Sequence, residues 1–78
     1  MEKETMGRRL QRLREAAGLT QADLARAAKV PIGTIRNWEQ DRRVPRLDSA
    51  YRVAQALRVS LDVLGAAQAR YEERGKEK

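Results

Sequence analysis

The sequence contains neither cysteine nor histidine, and each absence excludes a class of chemistry. Without cysteine the chain has no disulfide framework and no thiolate nucleophile, which fits the reducing cytoplasm. Without histidine it lacks the usual general base, and the two absences together remove nearly all ligand sets for transition metals. The few serines and threonines have no identifiable base partner, and there is no P-loop or glycine-rich dinucleotide turn. We predict that the chain is not an enzyme and holds no metal or cofactor.

Aromatic residues and long apolar runs are also scarce. Among 78 residues there is no phenylalanine and one tryptophan. Leucine, isoleucine, valine and alanine must therefore supply most of the core, which is lean in a domain this small. No apolar run approaches the ~18 residues of a membrane-spanning helix. The opening stretch MEKETMGRRL lacks the apolar segment of a signal peptide. We expect one cytoplasmic domain with no membrane insertion.

Basic residues, by contrast, are in excess. The chain has 17 Lys and Arg against 11 Asp and Glu, a net charge of +6. A basic domain of this size suits a polyanionic partner, nucleic acid first and an acidic membrane second. Taken alone, the excess is equally consistent with a role in solubility. Composition alone does not decide between a polyanionic partner and a role in solubility, and a sequence motif is needed to do so.

Apolar residues recur at helical spacing in five segments, which predicts an all-α fold. Thr5, Thr20 and Ser60 each precede a segment as a capping residue, and Pro31 stands at the entry to another. The predicted helices are Met6 to Ala17, Gln21 to Ala28, Pro31 or Ile32 to Gln40, Arg46 or Leu47 to Leu57, and Leu61 to Leu64. Residues 1–65 form the predicted domain, and residues 66–78 either extend the last helix or are partly disordered.

The stretch QADLARAAKVPIGTIRNWEQ, from Gln21 to Gln40, organises the chain. It predicts two short helices joined by a tight turn, with small Ala25 where they cross, which is a helix-turn-helix. Ile35 and Trp38 form a three-residue apolar step on the second helix. This spacing favours a core position for Trp38 over a role as a stacking platform.

The same stretch resembles the Cro/repressor-type (XRE-like) family of helix-turn-helix DNA-binding proteins. The positions that carry the resemblance are Gln21, Ala25, the turn at Lys29-Val30, Ile35, Trp38 and Glu39. The flanks LREAAGLTQ and PRLDSAYRVAQALRVSLDVLG extend it from Leu10 to Leu64, and it implies a compact five-helix, lambda-repressor-like domain. Lys29 and Arg58 depart from the family pattern, because glycine is frequent at both positions. We expect both to require a left-handed backbone, which costs more without glycine.

The resemblance also implies which residues meet DNA, since the second helix of this motif enters the major groove. The expected base contacts are Ile32, Gly33, Arg36 and Asn37. The expected contacts to the DNA backbone are Gln21, Thr34, Gln40, Arg42, Arg43 and Arg46. Arg14 and Glu39 match family positions that form a partly buried ion pair between helices 1 and 3. The alternative for the exposed residues is an ordinary solvated helix face and a solvated basic loop.

These expectations indicate a sequence-specific regulator of transcription, a repressor more often than an activator. It would bind a near-palindromic operator in double-stranded DNA as a homodimer, because two-fold symmetry places two recognition helices one DNA turn apart. We expect dimerisation through Arg58, Val59 and the C-terminal segment. The alternative is an antitoxin or interaction module that binds a protein partner through the tail, and a third possibility is nonspecific nucleic-acid binding.

Overall fold

The computed structural model describes residues 4–43 and 45–65, and five α-helices follow one another in this part of the chain. They are α1 (Met6–Ala16), α2 (Gln21–Ala28), α3 (Ile32–Glu39), α4 (Leu47–Leu57) and α5 (Leu61–Leu64). Helix α2 packs against α3 and α4, α1 packs against α3, and α5 packs against α1 and α4. The predicted all-α fold is confirmed. The predicted tail at 66–78 lies outside the described residues.

All five helices contribute to a single core. Leu10, Leu24, Ile35, Val53 and Leu64 have no exposed surface. The other buried apolar residues are Met6, Ala25, Ala28, Val30, Trp38, Ala50, Ala54 and Leu57. Trp38 is only 5% exposed, so its predicted core position is confirmed. No helix within the described ranges combines the length and apolar character needed to span a bilayer.

The start of a helix is stabilised where the sequence places a hydroxyl residue. The Thr5 hydroxyl accepts the backbone N–H of Arg8 at 3.1 Å, and Ser60 caps α5 in the same way. At α2 the cap is reciprocal: Thr20 accepts the N–H of Asp23, whose carboxylate accepts the N–H of Thr20. This backbone hydrogen bond lowers the pKa of the Asp23 carboxyl. The caps satisfy N–H groups that the first helical turn leaves free.

The first four helices all end in a Schellman motif, in which one left-handed residue reverses the chain. The left-handed residues are Gly18, Lys29, Asp41 and Arg58, with φ between 58° and 76°. The N–H of the following residue then bonds to a carbonyl five positions earlier: Leu19 to Arg14, Val30 to Ala25, Arg42 to Asn37, and Val59 to Ala54. The left-handed backbone expected at Lys29 and Arg58 is confirmed, whereas that of Asp41 was not predicted.

Ala17, Leu47 and Leu61 are apolar residues at helix ends that are not fully buried. Ala17 is exposed because α1 ends at Ala16, and the chain turns through Gly18 directly afterwards. Leu47 and Leu61 are each the first residue of a helix and are half-buried. Helix α3 ends at Glu39, so Gln40 is its cap instead of its last turn.

Candidate nucleic-acid interface

Helix α3 has one apolar side in the core and one side that reaches the surface. Ile35 and Trp38 are buried, whereas Arg36 and Gln40 are exposed. Asn37 lies between them and is half-buried. The predicted base-reading residues Arg36 and Asn37 therefore carry their donors and acceptors to the side of α3 that is free of the core.

The N-terminal half of α3 is different, because neither of the residues predicted to meet bases there has a polar side chain. Gly33 has open space where a Cβ would stand, with no atom within 4 Å. Ile32 is half-buried and packs partly against the core, so only part of its side chain is left for contact with a thymine methyl group. Of the four residues predicted to meet bases, Arg36 and Asn37 are the two that have polar side chains.

A depression between α3, the following loop and the start of α4 brings several predicted residues together. It is lined by Thr34, Asn37, Trp38, Arg43, Arg46 and Ser49. The candidate reader Asn37 thus lies beside three residues expected to hold the DNA backbone. Ser49 was not predicted, since a serine in the first turn of a helix carries no sequence signal beyond helix initiation. Its hydroxyl adds another donor to this part of the surface.

Positive charge dominates the loop that follows α3. Arg42, Arg43 and Arg46 are exposed, as is Arg36 on the helix itself. Among the described residues, one carboxylate approaches this group: Asp48 lies 3.8 Å from Arg46, in a largely exposed pair. A pair of this kind is weak and screened by salt, so it leaves the cationic character of the surface largely intact.

The two carboxylates nearest to the end of α3 point away from this basic surface and towards α1. Glu39 accepts Nε of Arg14 at 2.6 Å and a terminal nitrogen of the same guanidinium at 3.2 Å. Asp41 accepts the Thr5 hydroxyl at 2.8 Å and the backbone N–H of Gly7 at 3.0 Å. Both negative charges are therefore used within the fold, and the arginines are left to define the potential of the outer face.

The Arg14–Glu39 pair is deeply placed, as the resemblance implied. The Arg14 side chain is 11% exposed and that of Glu39 is 5% exposed. Hydrogen bonding to Glu39 raises the pKa of the Arg14 guanidinium, which stays charged. Arg14 also donates to the backbone carbonyl of Leu19 at 2.8 Å, at the entry to α2. One guanidinium thus joins α1, the start of α2 and the end of α3.

Gln21 belongs to this same polar group. Its side-chain amide donates to Glu39 at 3.0 Å. Gln21 is the first residue of α2 and is half-buried. It is not among the residues that line the depression containing Asn37, Arg43 and Arg46. The predicted backbone contacts consequently lie in two places, at the start of α2 and around the α3–α4 loop.

A close approach of backbone to backbone completes the junction of α1 with α3. A Cβ on Gly7 would lie 2.5 Å from the carbonyl oxygen of Trp38 and 2.6 Å from that of Glu39. Only glycine fits here, because real Cβ contacts are not this short. Neither Gly7 nor Asp41 was singled out from the sequence, since their contacts join residues more than 30 positions apart.

Comparison with known proteins identifies this arrangement. The family model described as Helix-turn-helix matches residues 10–64. This chain belongs to the Cro/repressor-type helix-turn-helix family. The matched range is the one that carries the resemblance read from the sequence, and it contains the whole α2–turn–α3 unit together with its Arg14–Glu39 support.

Two solved structures are similar to this helix-turn-helix domain. The restriction-modification controller protein C.AhdI from Aeromonas hydrophila is 30% identical, with a TM-score of 0.74 over 76% of this chain and 89% of that one. The DNA-binding domain of the P22 C2 repressor, solved by NMR, is 28% identical, with a TM-score of 0.77 over 85% of this chain and 90% of that one. A search of curated proteins found no significant match.

Proposed function

We propose that this helix-turn-helix domain binds double-stranded DNA sequence-specifically, inserts α3 into the major groove and represses transcription in the cytoplasm. The observation that carries the proposal is the surface of α3 and its loop. Arg36 and Asn37 project from the side of α3 opposite the core, and three exposed arginines follow. The nearby carboxylates of Glu39 and Asp41 are bonded to α1 instead. Such a surface combines base-reading groups with a cationic frame for phosphates.

The residues divide into readers and backbone contacts. Arginine pairs well with guanine and asparagine with adenine, so Arg36 and Asn37 carry most of the proposed discrimination. Ile32 and Gly33 add apolar contact and close approach. The backbone is held by Gln21, Thr34, Gln40, Arg42, Arg43 and Arg46. Gln21 stands at the N-terminus of α2, where free N–H groups and the helix dipole favour a phosphate.

We further propose that the domain acts as a homodimer on a near-palindromic operator. The two large apolar side chains that are exposed in the described part of the chain are Tyr51 and Val63, at 52% and 49%. They lie on α4 and α5, not on α3. Dimerisation through these helices and the corner at Arg58 and Val59 leaves α3 free for DNA. The two similar structures are those of a controller protein and of a repressor domain, which supports a regulatory role.

Selection of bound sites from random duplex DNA tests the proposal. We expect a recurrent near-palindromic sequence, bound by the wild-type chain far more tightly than a scrambled duplex. Asn37→Ala and Arg36→Ala should each lose about 1–3 kcal/mol of discrimination against the wrong base at one position per half-site. Arg43→Ala is the matched control, because it should weaken both duplexes alike and lower the salt slope by about one.

The alternatives give different results in the same experiment. If Arg36→Ala and Asn37→Ala lowered affinity equally for the selected and the scrambled duplex, α3 would not read bases. No recurrent sequence would indicate nonspecific binding. A stable complex with a protein partner that requires residues 66–78 would support the interaction module.

A further inference from the structure

A hydrogen bond joins the amide of Gln21, at the start of α2, to the carboxylate of Glu39, at the end of α3. Gln21 donates from Nε2 to Oε1 of Glu39 at 3.0 Å, across 18 positions of sequence. That same Oε1 also accepts a terminal nitrogen of Arg14 at 3.2 Å, and Oε2 accepts Nε of Arg14 at 2.6 Å. The Glu39 carboxylate therefore accepts two hydrogen bonds from the Arg14 guanidinium in addition to the one from the Gln21 amide.

This contact determines which way the Gln21 amide faces. A glutamine amide has a donor end and an acceptor end, whereas an ionised carboxylate only accepts. Gln21 must therefore turn its NH₂ group, not its oxygen, towards Glu39. One N–H is used by Glu39, and the second remains on the same nitrogen at the start of α2. Without this partner, the Gln21 side chain would have to be ordered by the arriving phosphate itself, at a cost to the free energy of binding.

We propose that Glu39 is a positioning residue for DNA binding: it fixes the Gln21 amide so that a phosphate oxygen of the DNA backbone meets an N–H. The inference rests on the proposed function and adds to it a role for a residue that itself does not touch DNA. The Gln21 side chain is ordered when the protein folds, so DNA binding does not have to order it. Immobilising a side chain of this type weakens association by roughly 2- to 10-fold when it must happen in the complex.

The arrangement also links the amide to the reading helix. Glu39 is the last residue of α3, and Arg14 fixes it from α1 while holding the Leu19 carbonyl two residues before Gln21. Gln21, the proposed contact to the DNA backbone, and the proposed base-reading residues of α3 are therefore held in fixed positions relative to one another. A phosphate bound by Gln21 would set the depth and register at which α3 meets the bases.

Side-chain amide NMR tests the contact without DNA. In the wild-type protein the two Nε2 protons of Gln21, assigned by their loss in Gln21→Met, should be well separated in chemical shift and exchange slowly with water. Gln40 is exposed and serves as the internal reference with averaged amide signals. Glu39→Gln should move the Gln21 signals towards those of Gln40. Signals that match Gln40 in the wild-type protein would overturn the proposal, even if Glu39→Gln does not fold.

Binding to a duplex completes the test, at a temperature where circular dichroism shows every variant folded. We expect Gln21→Met to bind about 10-fold more weakly, as for loss of a hydrogen bond to a charged group. Glu39→Gln should bind roughly 2- to 10-fold more weakly, and should have no further effect in the Gln21→Met background. Glu15→Gln, which removes an exposed carboxylate from α1 outside the proposed DNA and dimer surfaces, controls for the change in net charge.

The outcomes separate this inference from the function on which it depends. If the wild-type protein binds no duplex, the proposed function fails and the inference fails with it. If the wild-type protein binds but Glu39→Gln binds as tightly as Glu15→Gln, only the inference fails. The inference is also overturned if Glu39→Gln lowers DNA affinity by the same factor in the wild-type and the Gln21→Met backgrounds. Glu39 would then act only through the stability of the fold.

Discussion

Two of the helix pairings in this domain differ in the contacts that accompany the shared core. Helices α2 and α4 meet through apolar side chains, and the buried residues of both are alanine, valine and leucine. Helices α1 and α3 meet through a glycine packed on backbone carbonyls, the Arg14–Glu39 pair and the Asp41 carboxylate. Apolar packing is non-directional, whereas hydrogen bonds fix distance and angle. The recognition helix is thus attached to α1 by contacts that define its orientation.

The same backbone geometry serves both pairings in different ways. Lys29 ends α2 and Arg58 ends α4 in a left-handed conformation, and neither side chain makes an ion pair or side-chain hydrogen bond within the described residues. Asp41 follows α3 in the same conformation, but its carboxylate bonds to Thr5 and Gly7. At the apolar pairing the left-handed residue only reverses the chain, and at the polar pairing it also joins two helices.

The largest expected effect is at the Arg14–Glu39 pair. Arg14→Ala or Glu39→Ala leaves its partner charged and poorly solvated, and each should cost roughly 3–5 kcal/mol of stability. For a domain this small that corresponds to a fall in Tm of roughly 20–30 °C. The double variant should lose clearly less than the sum of the two single losses. Additive losses in thermal unfolding would show that the pair is not the link between α1 and α3.

Gly7→Ala should have the next largest effect. The added Cβ would meet two carbonyl oxygens of α3 and a carboxylate oxygen of Asp41, so α1 must move. Overpacking of this kind costs about 1–3 kcal/mol. Gly33→Ala is the matched control in another helix, where no atom lies within 4 Å. It should gain roughly 0.5–1 kcal/mol, because alanine favours the helix over glycine. Denaturant unfolding measures the free energy of unfolding of both variants. A destabilisation of Gly33→Ala comparable to that of Gly7→Ala would contradict this account of the close approach at Gly7.

Glycine substitutions at the left-handed helix ends should have the smallest effects, and these should differ in sign. Lys29→Gly and Arg58→Gly relieve left-handed strain and lose no side-chain contact, so each should gain up to about 1 kcal/mol. Asp41→Gly relieves the same strain but leaves Thr5 and Gly7 without their acceptor, and should lose about 1 kcal/mol. Calorimetric Tm values measure all three. A gain at Asp41 would mean that its carboxylate does not hold α1.

The helices were readable from the sequence, and the polar contacts between α1 and α3 were readable only in part. Helical spacing and hydroxyl caps predicted every helix to within a residue or so, because these signals are local. The resemblance supplied the Arg14–Glu39 pair and the left-handed Lys29 and Arg58. Gly7, Asp41 and the bond from Gln21 to Glu39 went unrecognised. Each depends on a partner distant in sequence, and a glycine, an aspartate or a glutamine in isolation has many local explanations.

The most direct test of the account is to map the DNA-binding surface by NMR, with labelled protein titrated by the duplex that site selection returns. We predict the largest shift changes at the Gln21 amide, along the outer side of α3 at Arg36 and Asn37, and in residues 40–49. The outer face of α1 should change little. Changes centred on α1, with α3 and its loop unaffected, would contradict the proposed orientation of the recognition helix.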